Sequence, residues 1–274
     1  MLIKVLVENT TLTNDFKSEH GFSLYIETKN KKILFDVGAS GLFLENAKKL
    51  DVDISKVDYL IISHGHYDHG GGLKTFLKEN KKAKVFIHHL AFEKYYARRL
   101  NDKLEFIGLD ESLKENKQII FTSNIFNIND EIKLFSNVFK KDGPLKSNSG
   151  LFKENKGEKI IDKFEHEQNL VIKDEDKTLL ITGCAHNGIV NILEHYYQMK
   201  GKMPNYVIGG FHLFSRSGGM EDLNRIENIA KYLNKTKAKF YTCHCTGEEP
   251  YKILKNIMKD NIDYLSTGSV NILK

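Results

Sequence analysis

The run Ser63-His64-Gly65-His66-Tyr67-Asp68-His69-Gly70-Gly71-Gly72 constrains this chain more than any other stretch. Four of its ten residues are common metal ligands; it follows the strand-like run 57–62 and leads straight into a helical pattern over 73–78. In an extended loop His64 and His66 point the same way, because side chains repeat every two residues. Asp68 and His69 come after the chain begins to turn, so they face a neighbouring point. That spacing suits two adjacent metal ions, and imidazole and carboxylate ligands suit zinc, manganese or iron. The three consecutive glycines let the backbone pass close to the ions and turn into the helix.

The rest of the chain narrows the function classes. With 274 residues, 41% of them hydrophobic, it can bury a sizeable core. No internal repeat, low-complexity tract or linker divides it, so a single domain over 1–274 is expected. The net charge of +5 comes from 41 basic against 36 acidic residues, a mixed surface without a long basic run. Charge therefore makes no case for nucleic acid, and at most favours a small anionic substrate. The apolar start, Leu2 to Val7, is too short for a signal peptide, and no stretch approaches the roughly 18 apolar residues of a membrane span. Three cysteines, an odd number, argue against a disulfide framework and for a reducing cytoplasm.

Read in order, the chain predicts strands at Leu2–Val7, Phe22–Glu27 and Ile33–Asp36, then a short helix over Leu42–Leu50 with Phe43, Ala47 and Leu50 on one face. Asp36, at a strand end, is either a turn residue or an acceptor that orients a metal-binding imidazole. Lys84–His89 reads as a strand and Ala91–Arg99 as a helix. His88 and His89 point to opposite faces, so at most one reaches the site. Signals from Asn101 to about Ile161 are short. The polar loop Lys140–Gly150 that closes this region is a lid, a contact between copies in a homo-oligomer, or a plain surface excursion.

The second half repeats a grammar of strand followed by polar residue. A hairpin, Asn169–Ile172 with Thr178–Thr182, runs into Gly183-Cys184-Ala185-His186, and a helix follows that Gly201 closes. His186 sits between strand and helix as His64 to His69 do, which makes it a candidate ligand. Cys184 faces the metals or is a small buried residue, the latter being the commoner case. His195 reads as an ordinary helix residue. The strand at Asn205–Gly209 leads to Gly210-Phe211-His212, and the following Ser215-Arg216-Ser217 suits an anion or an ordinary cap. The last strand ends in Cys243-His244-Cys245. If its alternation persists, His244 alone reaches the site; Thr246 and Glu249 then have capping-box spacing.

Phe35-Asp36-Val37-Gly38, His64 to Gly72, Thr182 to His186, Gly209 to Leu213 and Cys243 to Gly247 together resemble the metallo-β-lactamase superfamily. The branch is that of the dihydropterin–ribofuranosylaminobenzene phosphate synthase-like metal-dependent hydrolases. The resemblance implies an α/β fold, an αββα sandwich of two mixed sheets flanked by helices, with a metal centre at one edge. It also favours the imidazole-orienting role for Asp36. One departure stands out: Gly183-Cys184 replaces the Gly-Asp pair whose carboxylate bridges two metals in many members. His166, with charged flanks and read as part of an exposed hairpin, ranks below His186 as the third-block histidine.

The expected function is a metal-dependent hydrolase of a small anionic phosphoester or pterin-like phosphate, carrying two divalent ions, zinc first and manganese or iron as alternatives. His64, His66 and His186 take one ion, and Asp68, His69 and His244 the other. Asp68 doubles as a proton acceptor. His212 is a proton donor to the leaving group, or else a further ligand or a strand-end histidine. The rival readings are a metal-dependent synthase of the same branch and a redox or metal-binding protein with a di-iron centre.

Overall fold

The computed structural model describes residues 1–99 and 102–273. Two seven-stranded sheets lie face to face. The first runs in the order Val270–Ile272, Leu2–Val7, Ser23–Glu27, Lys32–Phe35, Tyr59–Ile62, Lys84–His88, Ile119–Thr122. Neighbours are antiparallel as far as Lys32–Phe35 and parallel beyond it. The second runs Ile262–Tyr264, Lys239–Thr242, Tyr206–Gly209, Lys177–Ile181, Asn169–Asp174, Ile132–Phe135, Ile125–Asn127. Here the first four are parallel and the remaining pairings antiparallel.

Alternation along each strand decides which layer a side chain enters. In Ser23–Glu27, Leu24 and Ile26 turn toward the second sheet while Tyr25 turns to the outer face. Between the sheets Val5, Phe35 and Ile61 meet Leu170, Ile181 and Ile208. On the outer face of the first sheet, Phe43 and Ala47 of helix Leu42–Lys49 and Phe76 of helix Leu73–Glu79 complete the packing. Ile192, Ile226 and Leu254, from helices Ile189–Lys200, Leu223–Lys235 and Glu248–Met258, cover the second sheet. Each such fully buried aliphatic or aromatic side chain contributes about 1.5–3 kcal/mol. The layers are helix, sheet, sheet, helix, as the family resemblance implies.

The parallel halves deliver the carboxyl ends of their strands to one edge, where open α/β sheets bind ligands. Asp36 follows Lys32–Phe35, Ser63 follows Tyr59–Ile62, and Cys184, His212 and His244 follow strands of the second sheet. Four residues at this edge, Asp36, Ala185, His212 and His244, have φ between 46° and 59°. Non-glycine residues in that left-handed region cluster at functional sites, where the surrounding structure holds the strain.

Two expectations fail. The segment predicted as a helix over Ala91–Arg99 contains the strand Tyr95–Arg98, which joins a small sheet in the order Glu158–Ile161, Leu151–Asn155, Tyr95–Arg98, Leu104–Phe106. Tyr95 and Ala97 are buried while Tyr96 is half-buried and Arg98 exposed, a period of two that seven aromatic and charged residues disguise. Thr246 makes no capping box either. Its Oγ1 accepts from the Phe211 N–H at 2.9 Å and lies 2.5 Å from Thr242 Oγ1, so the hydroxyl ties two strand ends together and Gly247 starts the helix. Among the described residues no helix is long and apolar enough to cross a membrane.

Candidate metal centre

The tautomers of the predicted ligands follow from their outer partners. Asp36, fully buried, accepts from the Ser63 N–H and Ser63 Oγ, each at 2.7 Å, and from His69 Nδ1 at 2.6 Å. The Ser63 hydroxyl proton is committed to Asp36, so Ser63 Oγ receives the His64 Nδ1–H at 2.8 Å. His186 Nδ1–H donates to Asn148 Oδ1 at 2.9 Å, and His244 Nδ1–H to Asn9 Oδ1 at 2.9 Å. Four imidazoles thus spend their Nδ1 protons outward and turn bare Nε2 lone pairs inward.

Those inward atoms fall into two sets. His69 Nε2 lies 3.3 Å from His244 Nε2 and 3.7 Å from Asp68 Oδ2, and His244 Nε2 lies 3.3 Å from Asp68 Oδ2. Donors about 2.0–2.1 Å from a tetrahedral ion are about 3.3–3.4 Å apart, so the set fits one zinc-sized cation. The second set, from His64, His66 and His186, has donor atoms within 4.8 Å of one another, with His64 Nε2 and His66 Nδ1 3.1 Å apart. His66 Nε2 and His186 Nε2 are buried and without a hydrogen-bond partner among the described residues. Lone pairs aimed at one another at such distances repel unless a proton or a cation lies between them. These residues fit two divalent ions.

The electrostatics agree. Burial holds His64 and His186 well below the ordinary imidazole range and His66 at about 3, so all three are neutral and ready to donate. His69 differs: burial opposes its charge too, yet the Asp36 and Asp68 carboxylates outweigh it and raise its pKa to about 9, so without a cation its Nε2 carries a proton that a bound metal would displace. In Asp68 burial is likewise outweighed, here by His69, His244 and His20, and its carboxyl stays well below the usual range.

Several residues lie elsewhere than the sequence suggests. His166 is buried rather than exposed, and both ring nitrogens are occupied: Nδ1 accepts from the Gly65 N–H at 2.9 Å and Nε2 donates to Asp162 at 3.0 Å. It braces the ligand loop from behind. Cys184 is buried with its Sγ 3.1 Å from His69 Nε2, inside the donor cluster. The expectation that His244 alone of its tripeptide reaches the site is overturned too. The strand ends at Thr242, His244 takes φ 52°, and Cys245 turns to the same cavity while Cys243 stays between the sheets. Two glycines permit this crowding: a Cβ on Gly183 would lie 2.2 Å from Ser63 Oγ, and one on Gly210 2.4 Å from Cys245 Sγ.

Other participants had no signal beyond a polar residue near a strand end. Glu8 Oε1 accepts the His244 N–H at 2.6 Å, and Glu167 Oε1 the His186 N–H at 2.6 Å. His20 Nε2 comes within 3.4 Å of Asp68 Oδ2. The Lys140–Gly150 loop is tied down rather than free at its end, since Ser147 is fully buried against His212 and Asn148 also donates to the His186 carbonyl at 2.9 Å. His212 donates from Nε2 to the Ser147 carbonyl at 3.3 Å, leaving Nδ1 buried and without a hydrogen-bond partner among the described residues.

A cavity of about 260 Å³ opens onto both donor sets. His66, Asp68, His186, His212 and His244 form its floor, and Tyr67, Arg99, Phe214 and Arg216 line it further out.

The sequence profile of the metallo-beta-lactamase superfamily matches residues 19–236. An uncharacterized protein of Methanocaldococcus jannaschii is 32% identical over 276 residues, which cover 98% of this chain and 99% of the other. The 7,8-dihydropterin-6-methyl-4-(beta-D-ribofuranosyl)-aminobenzene-5'-phosphate synthase of the same organism is 31% identical over 281 residues, covering 93% and 90%. The crystal structure of a metal-dependent hydrolase of the beta-lactamase superfamily superposes with a TM-score of 0.84 at 32% identity, covering 100% of this chain and 99% of that one. Members of the superfamily bind divalent metals, typically zinc. With the αββα layers and the histidine-rich edge, these likenesses place the chain: it belongs to the metallo-β-lactamase superfamily.

Proposed function

We propose that this chain is a metal-dependent hydrolase of a small anionic molecule, a phosphoester or a pterin-like phosphate. The observation that carries the reading is the convergence of two neighbouring donor sets on one cavity that Arg216 also lines. Divalent ions in such a site supply Lewis acidity and a water acidified to near neutral pH.

The chain's own groups supply binding and proton handling. Asp68 Oδ2 faces the cavity beside His20 and His244 and is placed to accept a proton. His212 reaches the cavity with Nδ1 bare, so it takes up a proton before it gives one to a leaving group. Arg216, for which no hydrogen-bond or ion-pair partner stands among the described residues, is free to hold a phosphate or carboxylate at the mouth. Arg99 is less free, because its Nε already donates to Glu105 at 2.5 Å. Tyr67 and Phe214, 36% and 45% exposed on the same cavity, offer flat faces for an aromatic ring such as a pterin.

The test is turnover of phosphomonoesters and phosphodiesters by protein loaded with zinc, manganese or iron, beside the His212→Ala variant. Hydrolysis that falls by roughly 100-fold or more in the variant, at near-normal metal content, supports the proton role. Parallel loss of metal makes His212 a ligand and sinks that role. Absence of hydrolysis of any ester by the metal-loaded chain rejects the hydrolase reading. It then favours joining rather than cleaving, the reaction class in the name of the 31% identical synthase.

A further inference from the structure

Cys184 takes part in three of the donor groups at the edge of the sandwich: with His64 and His69, with His186 and His212, and with His244 and Cys245. In each group the donor atoms lie within 4.8 Å of one another, and all these residues except Cys245 are histidines. Its sulfur therefore neighbours donors of both sets, His64 and His186 on one side and His69 and His244 on the other. Two cations about 3.5–4 Å apart repel, and an anionic side chain between them, beside any shared hydroxide, offsets that repulsion.

The buried carboxylates nearest the donors are engaged, and Asp162 and Glu221 pair with His166 and Arg225. Asp36 is saturated by Ser63 and His69. Glu8 and Glu167 hold the His244 and His186 backbone N–H groups. Asp68 lies with the His69 and His244 set, beside His244 and His20. From this placement, and resting on the two-ion reading of the centre, we infer that Cys184 is the bridging ligand, a thiolate shared by both ions.

The backbone is built to bring that sulfur in. Gly183 allows its strand end to press against Ser63, and the left-handed turn at Ala185, φ 55°, sends the chain on to His186 without moving the cysteine away. His186 Nε2, buried and without a hydrogen-bond partner among the described residues, belongs to a group that includes the same sulfur. A thiolate bridge shifts metal preference toward softer ions such as zinc, cobalt or iron and away from magnesium and manganese, which prefer oxygen.

Cobalt(II) titration of the purified chain, read by absorbance and by elemental analysis, tests the bridge without any assay of turnover. The expected result is about two cobalt ions per chain, with a near-ultraviolet sulfur-to-cobalt charge-transfer band. The band disappears in Cys184→Ser, with roughly tenfold or greater loss of cobalt affinity, and persists in Cys245→Ser. Cys184→Asp lacks the band but still holds both ions through a carboxylate, and so guards against misreading a folding defect in the serine variant. A band that survives in Cys184→Ser, or that vanishes only in Cys245→Ser, overturns the bridge. Two cobalt ions without a band overturn it alone and leave the centre standing, whereas failure of the unaltered chain to take up cobalt overturns the centre and the bridge together.

Discussion

Asn148 Oδ1 accepts the Nδ1 proton of His186 at 2.9 Å, so a residue 38 positions upstream decides which nitrogen of that imidazole faces the donor cluster. Asn148 Nδ2 also donates to the His186 carbonyl at 2.9 Å, clamping ring and backbone together.

Asn148→Ala removes both bonds and frees the ring to rotate. Outer partners of this kind are worth about 10–100-fold in metal affinity. The expected outcome is a loss in that range, measured by competition with a chelator, while Asn148→Asp, which keeps the acceptor, retains most of the affinity. Equal affinity in the alanine variant would mean that packing against Phe164, stacked on the ring at 4.2 Å, orients His186 instead.

Asp36 serves His69 and Ser63 at once, and Ser63 in turn receives His64. Asp36→Asn tolerates the φ of 59° but brings an N–H₂ group where two donors already point. A buried donor left unsatisfied costs about 1–3 kcal/mol. The melting temperature should fall, and affinity at the His69 ion should drop more than at the His66 ion. Calorimetric metal titration separates the two; uniform loss would mean that Asp36 acts on His64 through Ser63 as strongly as on His69.

Gly183→Ala puts a methyl group 2.2 Å from Ser63 Oγ. Forced overpacking of this sort costs about 1–3 kcal/mol. Since the displaced hydroxyl links Asp36 to His64, thermal stability and metal content should fall together. A variant that loses stability with full metal occupancy would show that Ser63 can shift without disturbing the imidazoles.

Arg216 is exposed at the cavity mouth. Arg216→Ala should leave the melting temperature nearly unchanged, because exposed substitutions away from special features stay within about 0.5 kcal/mol. If the guanidinium holds the substrate anion, KM rises by roughly tenfold, with kcat and metal content little altered. The wild-type KM should also rise with salt, which screens an exposed charge. A salt-independent KM, unchanged by the substitution, would remove Arg216 from substrate binding.

What the sequence by itself determined is the local grammar. Period-two strands, helices with one apolar face and histidines at strand ends are written in neighbouring residues, and they were enough to predict most of the elements and the loop from His64 to His69; the αββα layering was what the family resemblance implied. The choice of His186 over His166 follows the same grammar, since His186 lies between a buried strand and a helix start. Only the tertiary structure decided which atoms those residues present. Asn9 reaches His244 from 235 positions away, and Glu8 holds its backbone N–H from 236. Pairings so distant leave no periodic trace. The orientation of the sulfurs escaped for another reason: alternation holds only while the chain is extended, and the turns to positive φ at Ala185 and His244 break the period beside Cys184 and Cys245. One strand-end turn thus brings into the donor cluster the Cys245 thiol, which the pattern assigns to the opposite face.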